Sequence, residues 1–238
     1  MPRISTIDVV LLCGGRGKRL KPSVNNRPKP MAEINNRPFL DILIDYISGF
    51  GFRRFILSTG YMANFIKEYY QKKRSSLEFI FSEEERPLGT GGAIKNAEAL
   101  IKSPVFLVLN GDSFCDVNLQ KFLNFHLDKK ALVTMALTVH DDCKEYGTVI
   151  LGDLGLITGF YEKNGKYQDG LINTGIYLFK KQALSLMPEK KSFLLEKDFF
   201  PNIGKGLFYG YKTDRPLLDI GTPERYDKAK EFFKKDIY

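Results

Sequence analysis

The amino-acid sequence predicts an α/β protein in which helices cover both faces of a mostly parallel, mixed β-sheet. Two observations lead to this fold class. Through the first half of the chain, apolar runs of strand length alternate with segments of helical periodicity, which is the βαβα order of a parallel sheet. After about residue 140 the alternation stops, and short runs around turns become typical of hairpins. The second half of the sheet is therefore expected to be mixed.

The elements of the first half follow from the spacing of their apolar residues. In the segment 38–48, apolar residues recur with a helical period while Asp41 and Asp45 lie on the opposite face. Short apolar runs between such segments indicate strands. The predicted strands are 7–12, 55–57, 78–81, 105–109 and 132–139, and the predicted helices are 38–48, 62–72, 92–101 and 119–127.

The second half contains shorter elements. The runs 146–151 and 156–162 flank a Gly-Asp-Leu-Gly turn and predict a hairpin, and 175–179 and 208–213 predict two further strands. Pro223 is predicted to begin a last helix with Thr222 as its cap. Glu224 with Lys228 and Glu231 with Lys235 are favourable pairs on that helix. Because no repeat or linker interrupts the chain, we expect a single domain spanning residues 1–238.

Composition narrows the class of protein. A chain of 238 residues with 43% hydrophobic and 27% charged residues has the makeup of an ordinary soluble globule with a full core. No run approaches membrane-spanning length, and the N-terminus reads as a strand rather than a signal peptide. Three widely spaced cysteines, Cys13, Cys115 and Cys143, suit a reducing cytoplasm and match no metal pattern. We therefore expect a cytoplasmic protein without a membrane partner.

The net charge of +8 allows a nucleic-acid partner, but the lysines are scattered in small clusters at predicted helix ends and turns. We expect no nucleic-acid binding, and note that positive charge also suits substrates that are phosphates. The two histidines, His126 and His140, have no Ser or Cys partner at a telling spacing, and no nucleophile motif is present. Covalent catalysis therefore has little support.

The segment after the first predicted strand predicts a binding loop for a polyphosphate. Leu12 leads into Gly14, Gly15 and Gly17, whose backbone N–H groups are free to approach a ligand closely. Two cations that bind phosphate in different ways follow, and a further lysine lies inside the loop. These cations are Arg19, Lys29 between two prolines, and Lys18.

Two familiar phosphate loops do not fit this segment. The Walker A pattern needs a glycine where Leu12 stands and a Ser or Thr where Arg19 stands. The dinucleotide fingerprint needs a third glycine that opens a helix, and residues 20–22 offer none. The alternative is a Gly-rich surface turn with solvated cations, which Arg19 and the Pro-Lys-Pro segment make less favourable.

A second glycine turn, residues 87–93, precedes a predicted helix. Its N–H groups and the Thr90 hydroxyl are candidates to face a flat ring, because no side chain obstructs approach at Gly91 and Gly92. Gly89 belongs to the same turn. The alternative is an ordinary strand-to-helix turn with Thr90 as the N-cap.

Two aspartates stand where apolar strands end. Asp112 follows Asn110 and Gly111 at the end of the predicted strand 105–109, and Asp219 precedes the last helix. Ligands of open α/β sheets lie beyond the carboxyl ends of the strands, where carboxylates can hold a phosphate-bound Mg²⁺. An Asx turn and a helix-capping role are the respective alternatives. The pairing of the two aspartates favours a shared metal.

Polar groups of the second half suit a sugar phosphate. Carboxylate, amide and hydroxyl groups recognise sugar hydroxyls, and a lysine can hold a sugar phosphate. For each group taken alone, the alternative is an ordinary polar residue on the protein surface. The candidates are Tyr146, Gly147, Glu162, Lys163, Asn173 and Thr174.

Together these residues resemble the sugar-1-phosphate nucleotidyltransferases, also called nucleoside-diphosphate-sugar pyrophosphorylases. The signature of that family, GGxGxRL followed by PKPM, stands here at residues 14–20 and 28–31. Its Gly-Asp, Glu-Lys, Asn-Thr-Gly and Asp-x-Gly-Thr-Pro-Glu motifs follow in family order, from about residue 7 to 233. The sequences of four segments are most similar to those of the D-glycero-D-manno-heptose 1-phosphate guanylyltransferases: residues 85–93, 110–114, 170–177 and 218–221.

The resemblance implies a Rossmann-like three-layer αβα fold of the nucleotide-diphospho-sugar transferase type. It also implies that GTP and a heptose 1-phosphate react to give GDP-heptose, for surface polysaccharide, and pyrophosphate. The nucleotide-binding half would span 1–140 and the sugar-binding half 141–238. The family usually has Ala where Cys13 stands and Thr where Lys18 stands. A homodimer is one assembly open to such an enzyme.

The resemblance also assigns roles to residues. Arg19, Lys29, Asp112 and Lys163 would be catalytic, and Asp112 and Asp219 would hold Mg²⁺. Six residues of the second half would bind the sugar: Tyr146, Gly147, Glu162, Lys163, Asn173 and Thr174. Twelve residues of the first half would bind the nucleotide: Leu12, Gly14, Gly15, Gly17, Lys18, Arg19, Gly89, Thr90, Gly91, Gly92, Asn110 and Gly111.

Several alternatives stay open at this point. Mannose 1-phosphate with GTP, or a thymidylyl-, uridylyl- or cytidylyltransferase, would use the same motifs. A nucleotide-sugar-binding regulator on the same fold is the alternative outside catalysis. It is disfavoured because such a protein is expected to lose Arg19, Lys29 or one of the aspartates, and all are present.

Overall fold

The computed structural model describes residues 2–17, 19–20, 26–73, 75–141, 143, 145–161 and 170–235. Three predicted site residues, Lys18, Glu162 and Lys163, lie outside the described residues. Within the described part of the chain, no helix is long and apolar enough to cross a membrane.

The strands and longer helices alternate along the first half of the chain, as predicted. The helices are α1 (Phe39–Gly49), α2 (Ala63–Lys72), α3 (Gly89–Asn96), α4 (Leu119–Asp128) and α5 (Pro223–Lys235). The strands are β1 (Asp8–Leu12), β2 (Glu33–Ile34), β3 (Arg37–Pro38), β4 (Arg54–Thr59), β5 (Glu78–Glu83), β6 (Val105–Asn110), β7 (Ser113–Phe114), β8 (Val133–His140), β9 (Thr148–Leu151), β10 (Ile157–Tyr161), β11 (Gly170–Lys180), β12 (Phe208–Lys212) and β13 (Leu218–Asp219).

The main sheet is mixed, with a parallel side and an antiparallel side. Its order is β10-β9-β11-β6-β1-β4-β5, and β8 pairs with both β11 and β12. β1 lies between β4 and β6 and is parallel to both, and β5 continues the parallel side beyond β4. β11 joins the antiparallel side to β6. The fold class predicted from the sequence is confirmed.

Helices pack on both faces because the central strands bury both of theirs. Val9 and Leu11 of β1 belong to an apolar cluster with residues of α1, α2, α4 and α5. Val10, between them, belongs to the cluster on the other face, which contains Ile94 of α3. This alternation explains why the sequence of β1 is almost entirely apolar, since a strand covered on both sides needs no polar face.

β11 changes its neighbour at the predicted Asn-Thr-Gly motif, and this opens a gap in the sheet. Before the motif β11 pairs with β9, and from Ile176 onward it pairs with β6. Gly175 lies at the switch with φ of +78°, and a Cβ there would lie 2.4 Å from Nδ2 of Asn110. Only glycine therefore fits this position. The gap lies just beyond the carboxyl ends of β1 and β6.

Some predicted boundaries are wrong for identifiable reasons. α3 begins at Gly89 rather than residue 92, because the carbonyl of Phe193 accepts the N–H groups of Gly91 and Gly92. Thr90 is consequently inside the helix and is not its N-cap. The predicted strand 175–179 extends over the whole of β11. The capping role of Thr222 is confirmed, since its Oγ1 accepts from the N–H of Arg225 at 3.3 Å.

The hairpin predicted across the Gly-Asp-Leu-Gly turn is present as antiparallel β9 and β10. On α5, Lys228 pairs with Glu224 at 2.8 Å as expected. Glu231 pairs with Lys234 at 2.6 Å, whereas its predicted partner, Lys235, has a side chain outside the described atoms.

A buried histidine predicts acid sensitivity of the fold. His126 on α4 is fully buried; its Nδ1 lies 2.8 Å from Oγ1 of Thr134, and its Nε2 has no hydrogen-bond partner among the described residues. Burial, and secondarily the charge of Lys180, lowers the pKa of His126 to about 4. The unfolded chain, with a histidine pKa of about 6.5, therefore binds a proton before the folded chain does.

We expect the stability that neutral His126 preserves to be full above pH 6.5 and to be lost as the pH falls toward 4. The free energy of unfolding should fall by roughly 1–3 kcal/mol over that range from this residue alone. Urea denaturation of wild type and His126→Gln at pH 7 and pH 4.5 measures it. Equal pH dependence in the two proteins would contradict this assignment.

Candidate active site

The loop that follows β1 is shaped by its contact with Lys29. Gly17 has φ of +55°, and a Cβ on it would lie 2.9 Å from Cβ of Lys29. Glycine is thus required for the stem of Lys29 to lie against the loop. Among the described residues, no acceptor hydrogen-bonds the backbone N–H groups of residues 14–17. These donors are available to an anion.

Lys29 is held so that its ammonium group reaches the end of β6. It opens the short 3₁₀ turn Lys29–Met31, and Pro30 and Met31 of that turn are buried. Its Nζ lies 2.6 Å from Oδ2 of Asp112, and its side chain is only 14% exposed. The Pro-Lys-Pro motif therefore fixes a nearly buried cation beside the first predicted metal ligand.

A two-residue ladder brings the second aspartate to the first. β7 and β13 are antiparallel, with Asp219 opposite Ser113, and the N–H of Ile220 donates to the carbonyl of Asp112 at 3.1 Å. This ladder joins segments that lie far apart in the sequence. Asp112 and Asp219 consequently line one cavity, as the sequence predicts.

The carboxylate of Asp219 is surrounded by donors. Its Oδ2 accepts from the hydroxyl of Tyr146 at 2.8 Å, and its Oδ1 accepts from the N–H of Gly221 at 2.8 Å. Arg225 adds an ion pair at 3.2 Å. Burial, followed by the Asp219 charge, raises the pKa of Tyr146 well above its usual value, so this hydroxyl stays protonated and donates.

The two cations and Asp219 surround a single backbone position. A Cβ on Gly221 would lie 2.7 Å from Oδ1 of Asp219, 3.6 Å from Nζ of Lys29 and 3.8 Å from Nη2 of Arg19. The absence of a side chain at Gly221 keeps this space open. The structure therefore brings Arg19, Lys29 and both aspartates into one cleft.

Most of the predicted residues line two adjoining cavities of about 310 and 320 Å³. Lys29, Thr90, Asn110 and Asp112 line both and mark their junction. The first, here called the nucleotide cavity after the residues predicted to bind a nucleotide, is also lined by Leu12, Gly14, Gly15 and Gly89. The second, here called the sugar cavity after the residues predicted to bind a sugar, is also lined by Arg19, Tyr146, Gly147, Asn173, Thr174 and Asp219.

Gly91 and Gly92 do not line either cavity, which corrects the expectation that they face a ring. Their N–H groups donate to the carbonyl of Phe193 at 3.1 and 3.2 Å. A Cβ on Gly91 would lie 2.1 Å from the Phe193 ring, and one on Gly92 would lie 2.6 Å from the carbonyl of Lys191. These glycines allow α3 to pack against the segment 191–195. Gly91 is buried, and Gly92 lines a different cavity, beside residues 83–86.

Gly17 and Gly111 also act through packing. Gly17 accommodates Lys29, as described above, and Gly111 lies against Leu12 and Cys13, where a Cβ would be 2.8 Å from the Leu12 carbonyl. Both support the nucleotide cavity from behind rather than lining it.

Two hydroxyl groups predicted to bind ligands are used within the fold. Thr174 donates to the carbonyl of Ala136 at 2.9 Å, so its hydroxyl secures the bulge of β11 on β8. Thr90 donates to Oε2 of Glu196 at 2.9 Å and accepts from the N–H of Leu195. Thr90 thereby fixes a one-turn π-helix, Leu195–Phe199, which places Glu196 in the sugar cavity.

Glu84 lines the nucleotide cavity and was not predicted. Its N–H donates to the carbonyl of Thr59, which extends the β4–β5 ladder, and its Oε2 accepts from the N–H of Leu88 at 3.2 Å. Oε1 lies 3.0 Å from the position a Cβ on Gly14 would take. Burial raises the pKa of Glu84. The available signal was the run of three glutamates, 83–85, beside the second glycine turn.

Arg225 and Glu145 line the sugar cavity and were also missed. Each adjoins a predicted motif: Glu145 precedes Tyr146, and Arg225 follows the Thr-Pro-Glu that begins α5. The guanidinium of Arg225 lies 5.0 Å from the centroid of the Tyr146 ring. The only sequence signal for these two residues was that each is charged and lies next to a predicted motif.

The sequence profile of the nucleotidyl transferase family matches residues 8–236. The chain is 38% identical to D-glycero-alpha-D-manno-heptose 1-phosphate guanylyltransferase of Campylobacter jejuni over 92% of this chain and 97% of that protein. It is 36% identical to the enzyme of the same name from Aneurinibacillus thermoaerophilus over 94% and 97%. Mannose-1-phosphate guanylyltransferase of Mycobacterium tuberculosis is 33% identical over 92% of this chain and 62% of its own length.

A solved structure has the same fold at clear sequence similarity. HddC from Yersinia pseudotuberculosis superposes with a TM-score of 0.84 at 36% identity, covering 95% of this chain and 99% of that one. HddC has also been crystallised in a complex with GMP-PN, with the same TM-score and coverage.

Proposed function

This chain belongs to the nucleotidyl transferase family, and we propose that it transfers GMP from GTP to D-glycero-D-manno-heptose 1-phosphate with release of pyrophosphate. The observation that carries the proposal is the convergence of Arg19, Lys29, Asp112 and Asp219 on one cavity, at whose junction with a second cavity Lys29 and Asp112 lie. One cavity has the size and glycine-rich wall that suit a nucleotide. The other is lined by amide, carboxylate and hydroxyl groups that suit a sugar.

The reaction is a direct displacement at the α-phosphorus of GTP. An oxygen of the sugar 1-phosphate attacks, a new P–O bond forms, and the bond to pyrophosphate breaks. Such a transfer depends on positioning and on neutralising charge rather than on proton transfer. We expect the N–H groups of Gly14 and Gly15 to hold the triphosphate, and the Arg19 guanidinium to neutralise charge where the phosphates of the two substrates meet. Lys29 lines both cavities, and we expect it to contact both the α-phosphate and the incoming phosphate.

Asp112 and Asp219 are the residues that would hold Mg²⁺. They offer hard carboxylate oxygens, and no cluster of three or more His, Cys, Asp or Glu ligands is found in the described ranges. Two carboxylates completed by substrate phosphates are a ligand set that suits magnesium, which keeps few protein ligands. When bound, the ion would neutralise charge on the phosphates.

Glu84 gives the nucleotide cavity its preference for guanine. A carboxylate only accepts hydrogen bonds, and guanine presents two adjacent donors, N1–H and the 2-amino group, on one edge. Adenine and cytosine pair a donor with an acceptor there, and uracil and thymine flank one donor with two carbonyl groups. The partial burial of Glu84 strengthens this discrimination, because an unmatched buried carboxylate is costly.

In the sugar cavity, Asn173, Glu196 and the Tyr146–Gly147 segment supply groups for hydroxyls. Glu162 and Lys163, predicted for the hydroxyls and the phosphate, remain part of the proposal on the strength of the sequence motif alone. Mannose 1-phosphate is the second candidate substrate, since the Mycobacterium tuberculosis relative that carries that name is 33% identical.

A pyrophosphate-release assay over a matrix of nucleoside triphosphates and sugar 1-phosphates tests the proposal. GTP with the heptose 1-phosphate is expected to give the highest kcat/KM. A preference for mannose 1-phosphate would transfer the assignment to the second candidate. A strong preference for dTTP or UTP would contradict the guanine assignment.

Replacing Glu84 with glutamine is expected to lower kcat/KM for GTP by about 10- to 100-fold, since one charged acceptor is exchanged for a donor. Inosine triphosphate lacks the 2-amino group and should lose less. The exposed neighbour Glu85→Gln is the matched control. A GTP-to-ITP preference that does not change in Glu84→Gln would exclude contact between this carboxylate and the base.

A further inference from the structure

The sugar cavity contains an anion-binding position outside the predicted residue set. Oε2 of Glu145 lies 3.3 Å from Nη1 of Arg19 and 3.2 Å from Nη2 of Arg225. One carboxylate oxygen thus lies between two guanidinium groups. A phosphate monoester carries more charge than a carboxylate and offers three oxygens to the planar forks of arginine, so it suits the same pair better.

Arg225 is fixed in this position from two sides. Its Nη1 pairs with Oδ2 of Asp219 at 3.2 Å, and its guanidinium lies 5.0 Å from the centroid of the Tyr146 ring. Its side chain is 26% exposed, so it is held rather than free in solvent. Because Nη1 serves Asp219, Nη2 is the part of the fork that meets an anion in the cavity.

Glu145 is bound less firmly. Its side chain is 53% exposed, and its partner Arg19 is 61% exposed. Ion pairs with this exposure contribute little to stability, so a competing anion displaces such a carboxylate at small cost. The Glu145 carboxylate therefore occupies the anion-binding position, but a substrate anion can still displace it.

We propose that Arg225 binds the phosphate of the sugar 1-phosphate, together with Arg19, at the position where the Glu145 carboxylate lies. Glu145 is then an internal anion that competes with this substrate. The inference rests on the proposed function. The sugar substrate is favoured over the triphosphate because Arg225 lines the sugar cavity with Tyr146 and Asn173 and does not line the nucleotide cavity.

A purely structural role for Arg225 predicts something different. If Arg225 only holds Asp219 in place, its removal raises the Mg²⁺ concentration needed for activity and lowers kcat. The KM for the sugar 1-phosphate would then stay unchanged. Steady-state kinetics with each substrate and Mg²⁺ varied in turn separates the two roles.

The test compares wild type with Arg225→Gln, Arg225→Lys and Glu145→Gln. Arg225→Gln should raise the KM for the sugar 1-phosphate about tenfold or more and leave the KM for GTP and the Mg²⁺ requirement within about twofold. Arg225→Lys should fall between Arg225→Gln and wild type. Glu145→Gln should lower the same KM about two- to fivefold, and only while Arg225 is present. Lys228→Gln, on the same helix, is the control.

Calorimetric titration with D-glycero-D-manno-heptose 1-phosphate gives a second readout that needs no turnover. Binding that weakens about tenfold or more in folded Arg225→Gln or Arg225→Lys supports the inference. Unchanged binding, or an effect on Mg²⁺ and kcat alone, overturns it. Wild type that binds the sugar phosphate but releases no pyrophosphate contradicts the proposed function and leaves the Arg225 comparison valid. Wild type that binds none contradicts both.

Discussion

Lys29→Met is expected to lower kcat about 10³-fold, because we propose that Lys29 contacts both reacting phosphates and methionine removes its fixed charge. The effect should fall on kcat more than on the KM for GTP, since neutralisation of charge that develops in the transition state is lost. The fold should survive, because the side chain of its partner Asp112 is 39% exposed and remains solvated. Pyrophosphate release under saturating substrates measures the change.

Lys67→Met is the matched control for that variant. Lys67 also pairs with a carboxylate at 2.6 Å, that of Glu83, but its side chain is 38% exposed and lines neither cavity. The Lys67→Met variant should have the kcat of the wild type. A Lys29→Met protein that folds and turns over within about tenfold of wild type would show that this lysine does not act on the reacting phosphates.

Arg19→Ala is expected to lower kcat/KM by about 10²–10³-fold, as for the loss of one preorganised donor to developing charge. Arg19 is more exposed than Lys29, and both Arg19 and Arg225 contact the same anion position at Glu145. The loss of Arg19 should therefore lower the rate less than the loss of Lys29. The measurement is the same pyrophosphate assay with GTP varied at saturating sugar 1-phosphate.

Arg16→Ala provides the comparison within the same loop, since Arg16 is exposed and lines neither cavity. It should reduce kcat/KM by less than about threefold. If the two alanine variants behave alike, the loop contributes only diffuse positive charge, and the specific role of residue 19 is wrong.

The sequence could predict the parts of the site that depend on local backbone chemistry. Glycine permits the positive φ that Gly17 adopts, and the prolines around Lys29 fix their own φ angles, so the local backbone can be predicted without tertiary structure. The positions of Asp112 and Asp219 also followed from a general rule, that ligands lie beyond the carboxyl ends of strands. The structure places all four side chains in one cleft.

What could not be predicted depends on contacts between distant segments. The ladder of β7 with β13 has two residues on each side, too few to give a period, and yet it aligns Asp219 with Asp112. Glu84 is one of three consecutive glutamates, and only the turn of the chain after β5 decides which one faces the cavity. From the sequence, Arg225 is expected to be an exposed residue of a polar helix. Only the folded structure shows that it contacts Asp219 and Tyr146.

The second glycine turn was misread for the same reason. An unobstructed glycine can face a ligand or another part of the protein, and the sequence contains no signal that separates the two. Here Phe193 and Lys191, about a hundred residues away in the chain, occupy the faces of Gly91 and Gly92. The division of the chain into a nucleotide-binding and a sugar-binding half stays a prediction.

We propose that both aspartates hold a metal ion on the substrate phosphates beside Lys29. Crystals grown with Mn²⁺ and a non-hydrolysable GTP analogue test it most directly by anomalous diffraction. We expect a manganese peak within coordination distance of carboxylate oxygens from both Asp112 and Asp219 and of a phosphate oxygen. A nucleotide bound with its phosphates away from these carboxylates, or a metal held by other residues, would contradict it.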